Sequence, residues 1–167
     1  MLRLLPLGLL WLASTAHAID AADAVLGRWA GSSSIIEIAR TADGGLSATV
    51  IALRHPLFRS GEAGPEGTPV TDLNNPDEAL RQRPVLGLNL LGGYRFSGKR
   101  WQGEIYDPES GKTYSSRMTV SGDELKLRGY IGTPLLGRTA RFVPVSRCTE
   151  KTVHMLRRSG LQGCGPS

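Results

Sequence analysis

The chain has 167 residues and carries 20 Lys and Arg against 15 Asp and Glu, a formal net charge of +5. The basic residues are interspersed rather than blocked, and only 6% of the chain is aromatic, so it lacks the basic stripe with stacking rings that nucleic-acid recognition requires. Its length fits one domain with a real core that needs no metal to fold.

The first eighteen residues read as a cleavable secretory signal. Arg3 supplies the positive start, Leu4 to Leu12 the apolar run, and Ala16-His17-Ala18 the small-x-small cleavage site, leaving Ile19 first. The apolar run is nine residues, whereas a bilayer span takes about 20, so the mature chain is expected to have no transmembrane segment. No cysteine follows the cleavage site to carry a lipid. The expected location is the periplasm. Removing residues 1–18 from the 167 leaves 149, with 19 basic and 15 acidic side chains and a balance of +4. The division expected is signal 1–18, barrel domain 19–147 and a stapled tail 148–167.

Alternating apolar and polar residues, broken by Gly, Asn and Pro turns, dominate the mature chain and predict a mainly β protein. Gly27 to Arg40 reads as a first strand with an irregularity at Ser32-Ser33-Ser34, and Leu46 to Leu53 as its hairpin partner after Asp43-Gly44-Gly45. His55 to Asp72 holds too many Gly and Pro for either regular structure and reads as a long mobile loop. Asn75 as cap, Pro76 at the first helical position and acids in the first turn predict a short helix ending before Pro84. A meander follows, with strands expected at 88–96, 101–106, 113–120, 124–131 and 138–145. Its hairpin turns are Asp107-Pro108-Glu109-Ser110-Gly111 and Ser121-Gly122-Asp123. Seven or eight antiparallel strands must hide their edges, which favours a small up-and-down barrel. Residues 149–159 suit a short C-terminal helix, and Cys148 with Cys164 an exported-type disulfide closing a loop of about 15 residues, worth on the order of 3 kcal/mol. The pair lacks the C-x-x-C spacing of a redox site.

Four motifs, taken in order, carry a family resemblance. They are Gly27-Arg28-Trp29; Asn75-Pro76-Asp77 followed by Leu80-Arg81-x-Arg83-Pro84-Val85-Leu86-Gly87; Trp101-x-Gly103-x-Ile105-Tyr106-Asp107-Pro108-x-x-Gly111-Lys112-x-Tyr114; and Leu125-x-x-Arg128-Gly129. Together they resemble the exported bacterial family called domain of unknown function 2147. The resemblance implies a calycin-like, lipocalin-type barrel and brings no established activity or catalytic residues. The longer loop after His55 and the Cys-containing tail depart from the family pattern.

The same residues have a physical reading of their own. Gly27 beside Trp29 suits an indole plugging one end of a tapered barrel, with Arg138 or Arg141 covering the ring as a cation–π partner. Arg81 and Arg83 could fork onto a carboxylate or phosphate ligand, although pairing with Asp72, Asp77 or Asp107 is the commoner fate. Glu104 and Tyr106 share one strand face and Trp101, Gly103 and Ile105 the other, so register decides between a polar lumen and a filled one. The candidate ligand-binding set is therefore Arg81, Arg83, Trp101, Glu104, Tyr106, Asp107, Tyr114 and Arg128, with Arg117 or Arg128 available to pair with inward carboxylates. His55 and His154 stand far apart, and no metal or other cofactor is expected. Gly111-Lys112-Thr113 mimics the end of a phosphate loop, but Tyr106 stands where its first glycine belongs.

Three readings of function follow. The preferred one is a non-enzymatic binder of a small apolar or amphipathic ligand or an envelope component, working through the barrel mouth and the 55–72 loop. The second is a hydrolase or isomerase using Glu104, Asp107 and Tyr106 or Tyr114, and a blander third is a structural envelope protein.

Overall fold

The computed structural model describes residues 21–165, so the expected signal segment at 1–18 lies outside the described residues. Eight strands form one antiparallel sheet: β1 (Gly27–Ala30), β2 (Ser34–Arg40), β3 (Leu46–Leu53), β4 (Leu91–Phe96), β5 (Trp101–Asp107), β6 (Lys112–Ser121), β7 (Glu124–Tyr130) and β8 (Arg138–Pro144). Their spatial order is β3-β2-β1-β8-β7-β6-β5-β4, and helix α1 (Glu150–Arg158) follows. The order leaves β3 and β4 as the two ends of a sheet that must curl until they meet.

They meet through the segment just before β4 rather than through a full ladder. The Val50 amide donates to the Leu88 carbonyl (3.0 Å), Gly87 to Val50 (2.8 Å) and Leu90 to Ala48 (2.9 Å). Asn89 stitches the join with its side chain: Oδ1 accepts from the Ala48 amide (2.8 Å) and the Leu91 amide (3.2 Å), while Nδ2 donates to the Leu91 carbonyl (3.0 Å). Past the far end of the seam, Arg95 donates to Asp43 in the β2–β3 turn (2.8 Å). The Thr41 hydroxyl, then Arg95 and the Gly45 amide, hold the Asp43 carboxyl at about 2. The strand expected from Leu88 thus begins at Leu91, because residues 87–90 serve the seam.

Period-two alternation fills the lumen. Ile36 and Ile38, Leu46, Ala48 and Val50, Trp101, Met118, Leu125 and Leu127 all point into one buried cluster with Trp29, Leu91 and Tyr94. A bulge in the β2–β3 ladder at Ile35/Ile36 sends these neighbours to different cores: Ile36 into the lumen, Ile35 into a second cluster with Ala30, Ala52 and Val145 under Met155 and Leu156 of α1. Thr149 caps α1 by accepting from the Thr152 amide (3.2 Å), and a disulfide from Cys148 to Cys164, with Cα atoms 5.4 Å apart, closes the tail over it.

Three sequence expectations are corrected. Gly27 to Arg40 is a hairpin of two strands, not one, because the chain turns at residues 31–33, with the Gly31 amide donating to the Ser34 carbonyl (2.8 Å). The helix expected after Asn75 is a single 3₁₀ turn, Glu78–Leu80, capped by Asp77. Asn75 is drawn instead into a buried network described below. The 55–72 loop is folded back on itself: Phe58 donates to Thr68 and Val70 to Pro56 (2.9 Å each), and Leu57 bridges Pro69.

Tyr94 gives the lumen a pH signature. Burial, partly offset by its bond to Ser116 Oγ (2.5 Å), pushes its phenol up to about 12. Since the folded value is raised, the neutral ring's contribution is fully present below pH 10, the ordinary tyrosine value, and is lost as pH rises towards about 12. Denaturant unfolding between pH 8 and 12 is expected to show stability falling by about 1.4 kcal/mol per pH unit from this group above pH 10. Tyr94→Phe flattens that decline.

Candidate functional site

Register settles which face of β5 is inside. Trp101 is 1% exposed and Ile105 packs on the lumen cluster, so Glu104 and Tyr106 face outward and the lumen is filled with side chains rather than lined with carboxylates. Glu104 stands exposed on the outer face, opposite Ser115. Arg117 and Arg128, proposed as partners of inward carboxylates, are also on the outside, directly opposite each other across β6 and β7.

Tyr106 joins a polar cluster built outside the barrel. Its hydroxyl donates to Asp72 Oδ1 (2.7 Å), and Asp72, at 0% exposure, accepts at Oδ2 from Asn75 Nδ2 (2.8 Å) and from Arg83 Nε and Nη2 (3.0 and 2.8 Å). Arg83 also lies 5.6 Å over the Tyr106 ring, and Asn75 Nδ2 reaches the Tyr106 oxygen (3.0 Å). Desolvation and the Asp72 carboxylate raise the Tyr106 phenol above its usual value. Arg81 braces the same loop, its Nε donating to the Asn75 carbonyl (2.8 Å) and Nη1 to Glu78 (3.1 Å). The forked arginines are thus occupied by the chain's own acceptors. This is the physical content of the second motif: it holds the 72–83 loop against β5.

The neighbouring turn is equally committed. Asp107 accepts from the Glu109 amide (3.0 Å) and from Ser110 Oγ (2.7 Å), Ser110 lies 3.2 Å from the Tyr114 hydroxyl, and Asn74 donates to the Glu109 carbonyl (2.8 Å). Gly111, at φ +67°, is the close point, since a Cβ there would lie 1.8 Å from the Asn74 carbonyl oxygen. Arg128 donates to the Pro134 and Leu135 carbonyls (2.7 and 3.2 Å) and to Thr139 Oγ1 (2.8 Å).

The Trp29 indole is buried in the lumen cluster, but neither Gly27 nor Arg138 or Arg141 serves it as expected. Gly27 adopts φ +110° with open space around it, so backbone conformation and not room for the indole calls for glycine there. Trp29 is buried and donates Nε1 to the Val25 carbonyl (2.8 Å). Arg141 donates from Nη1 to both Glu124 carboxylate oxygens (2.9 and 3.0 Å), and Arg138 is exposed. The guanidinium over an indole is Arg40, 5.0 Å above Trp101, which donates its Nε1 to the Ala22 carbonyl (3.0 Å).

Open concave surface lies on the outside. The 55–67 part of the loop and the end of α1 enclose a groove of about 360 Å³, with Leu57, Phe58 and Pro56 as its apolar wall and His55, Arg59, Arg158 and the acid Glu66 as its polar one. Leu57 stays 47% exposed, while Phe58 is tucked against the loop. Desolvation, then the charges of Arg59, Arg158 and Arg54, holds His55 below its ordinary 6.5. Arg59 shares its charge with Glu62 (2.6 Å), and Arg158 donates to His154 Nε2 (3.3 Å). The sequence marked the loop and missed this groove, because Arg158 enters it from a helix some 100 residues downstream.

The Asp72 cluster makes a testable claim. Removing one partner of a buried ion pair leaves an uncompensated charge, so Arg83→Leu is expected to cost about 3 kcal/mol in urea unfolding, while Glu104→Gln, on the exposed face, changes stability by less than about 0.5 kcal/mol.

Comparison with known proteins agrees with this architecture. No curated protein matches the chain. A solved structure of protein HP1028 from Helicobacter pylori, described as belonging to the lipocalin family, superposes with a TM-score of 0.57 at 19% identity, covering 83% of this chain and 90% of that one. Identity that low speaks for the fold alone. The family model described as "Uncharacterized protein conserved in bacteria (DUF2147)" matches residues 27–143. That stretch runs from the first residue of β1 to the penultimate residue of β8 and so takes in the whole barrel: the chain belongs to the DUF2147 family of bacterial proteins.

Proposed function

We propose that the protein is an exported, periplasmic, non-enzymatic binder of a small anionic amphiphile, held in the groove between the 55–67 loop and α1. The observation that carries this reading is the pairing in one groove of an exposed apolar wall at Leu57 with two guanidinium groups, Arg59 and Arg158, set against one acid, Glu66. Its volume of about 360 Å³ falls in the range of small-molecule sites. The lumen, where a lipocalin-type barrel would hold a ligand, is occupied by the protein's own side chains.

A binding role is also favoured over the hydrolase or isomerase reading by what has become of its residues. Glu104 stands by itself on the outer face, Asp107 caps a turn, Tyr106 serves Asp72 and Tyr114 lies by Ser110. General acid–base work needs two such groups converging on one open reacting atom, whereas Tyr106 is bonded to the buried Asp72, and Asp107 and Tyr114 meet only through Ser110 in a closed turn. Export rests on residues 1–18, whose apolar run and Ala16-His17-Ala18 site have the signal pattern.

Native mass spectrometry of the protein recovered from periplasm, run beside a denatured control, tests both parts. The polypeptide mass is expected to begin at Ile19, and dodecyl phosphate added to it is expected to bind one to one. Arg59→Ala and Arg158→Ala each weaken that binding about tenfold, the usual loss for a charge-assisted hydrogen bond. Affinity unchanged in the double variant would remove the groove from consideration, and a mass that retains residues 1–18 would remove export.

A further inference from the structure

A second exterior feature is built differently. The β7–β8 loop ends in three apolar side chains set almost wholly in solvent: Ile131 at 71%, Leu135 at 87% and Leu136 at 83% exposure. These are not the ragged tip of a slack loop. Thr133 caps a 3₁₀ turn over Pro134–Leu136, and the Gly137 amide closes it on the Pro134 carbonyl (3.2 Å). Arg128 then pins the turn from beneath, reaching the Pro134 and Leu135 carbonyls and Thr139 Oγ1 with three separate nitrogens. The backbone is fixed in an arrangement that presents both leucines outward.

The charge around this tip is one-sided. Arg117 and Arg128 stand opposite each other on the outer face of β6 and β7, and Lys126 stands opposite Arg141 on β7 and β8. Like charges directly across a ladder are unfavourable unless something between them compensates. Glu124 does this for Lys126 and Arg141 (3.2 and 2.9 Å), whereas Arg128 is bonded to neutral oxygens only, so the Arg117–Arg128 pair keeps its full charge. Arg138, paired with Gly129 on the other face of the ladder, adds an exposed cation at the barrel rim where the loop rejoins β8. Arg117, Lys126, Arg128, Pro134 and Leu135 together line a groove of about 490 Å³.

An apolar tip rimmed by unneutralised cations matches one kind of surface, in which acyl chains lie behind a layer of anionic headgroups. We propose that the β6–β8 face and the β7–β8 loop dock this protein on an anionic lipid bilayer, with Leu135 and Leu136 entering the headgroup–acyl boundary and Arg117, Arg128 and Arg138 meeting the phosphates. This surface is separate from the groove at His55, so the two readings stand or fall independently.

The test is co-sedimentation of the chain lacking residues 1–18 with phospholipid vesicles; all eight strands and α1 lie within the part retained. Binding is expected to vesicles of mixed phosphatidylglycerol and phosphatidylcholine, to be at least tenfold weaker with phosphatidylcholine alone, and to weaken as salt is raised. Leu135→Ser with Leu136→Ser, and separately Arg117→Glu with Arg138→Glu, should each lower binding tenfold or more. All four side chains are free of structural bonds, so thermal unfolding of both variants should match the parent. Lys99→Ala with Arg100→Ala, in the β4–β5 turn at the opposite end of the barrel, should leave vesicle binding unchanged. The proposal is overturned if the parent fails to bind anionic vesicles at low salt, or if either tip or charge variant binds as the parent does. It is equally overturned if millimolar inorganic phosphate displaces the protein from vesicles as well as salt of far higher ionic strength does, since the surface would then be a site for free phosphate.

Discussion

Everything in this molecule depends on the join between β3 and β4. A curled antiparallel sheet with two open edges would expose unpaired amides and carbonyls along both, and here those edges are brought together by three main-chain hydrogen bonds and the side chain of Asn89. A single amide side chain suits the task because it accepts and donates at once, so it can bond to the edge of β3 and to its own strand together. Once the join is made, the inward-facing residues of all eight strands surround one volume, and two indoles, a phenol and the aliphatic side chains fill it. Filling the lumen in turn moves any binding function to the exterior.

The exterior is organised by arginine, in two distinct ways. Arg81, Arg83 and Arg128 spend their forks on carbonyls and a buried carboxylate and so act as rivets that set loops against the barrel. Arg117 and Arg138, by contrast, are left for whatever approaches. Arg128 does both, because hydrogen bonds to neutral oxygens fix its position without cancelling its charge. The distinction matters for reading the motifs: in this chain the arginines before Pro84 and in β7 belong first to the architecture of the barrel.

Much of the fold was legible in the sequence because strand alternation and turn chemistry are local. The bounds of β3, and to within one residue those of β5 to β8, follow from runs such as Leu46 to Leu53 and from turns such as Ser121-Gly122-Asp123. Most of the misreadings share a cause, which is competition from distant groups. Asn75 has every mark of a helix cap, yet its side chain is claimed by Asp72 and Tyr106, and the helix shrinks to one turn. In Gly27 to Arg40 the Gly31-Ser32-Ser33 break reads as an irregularity within one strand, whereas β1 folds back on β2 there. The face of β5 that turns inward, and the meeting of Arg158 with the 55–67 loop, are decided by register and helix docking, which no local pattern encodes. The Pro134-Leu135-Leu136 turn is a missed feature with a local signal, as two leucines between a proline and a glycine have no strand to belong to.

The sheet order carries a consequence for how the chain reaches this state. β1 is bonded to β8, so the first strand of the barrel waits for the last, more than 100 residues later. Until Val143 and Pro144 arrive to pair with Ala30 and Trp29, a chain emerging from its N-terminus can hold only hairpins with open edges. Pairings of such high sequence separation are slow to form and leave sticky intermediates while they do. The short β1–β8 ladder is therefore the folding step at which this protein is most exposed to aggregation, and the stage at which a holding chaperone would have the most to protect.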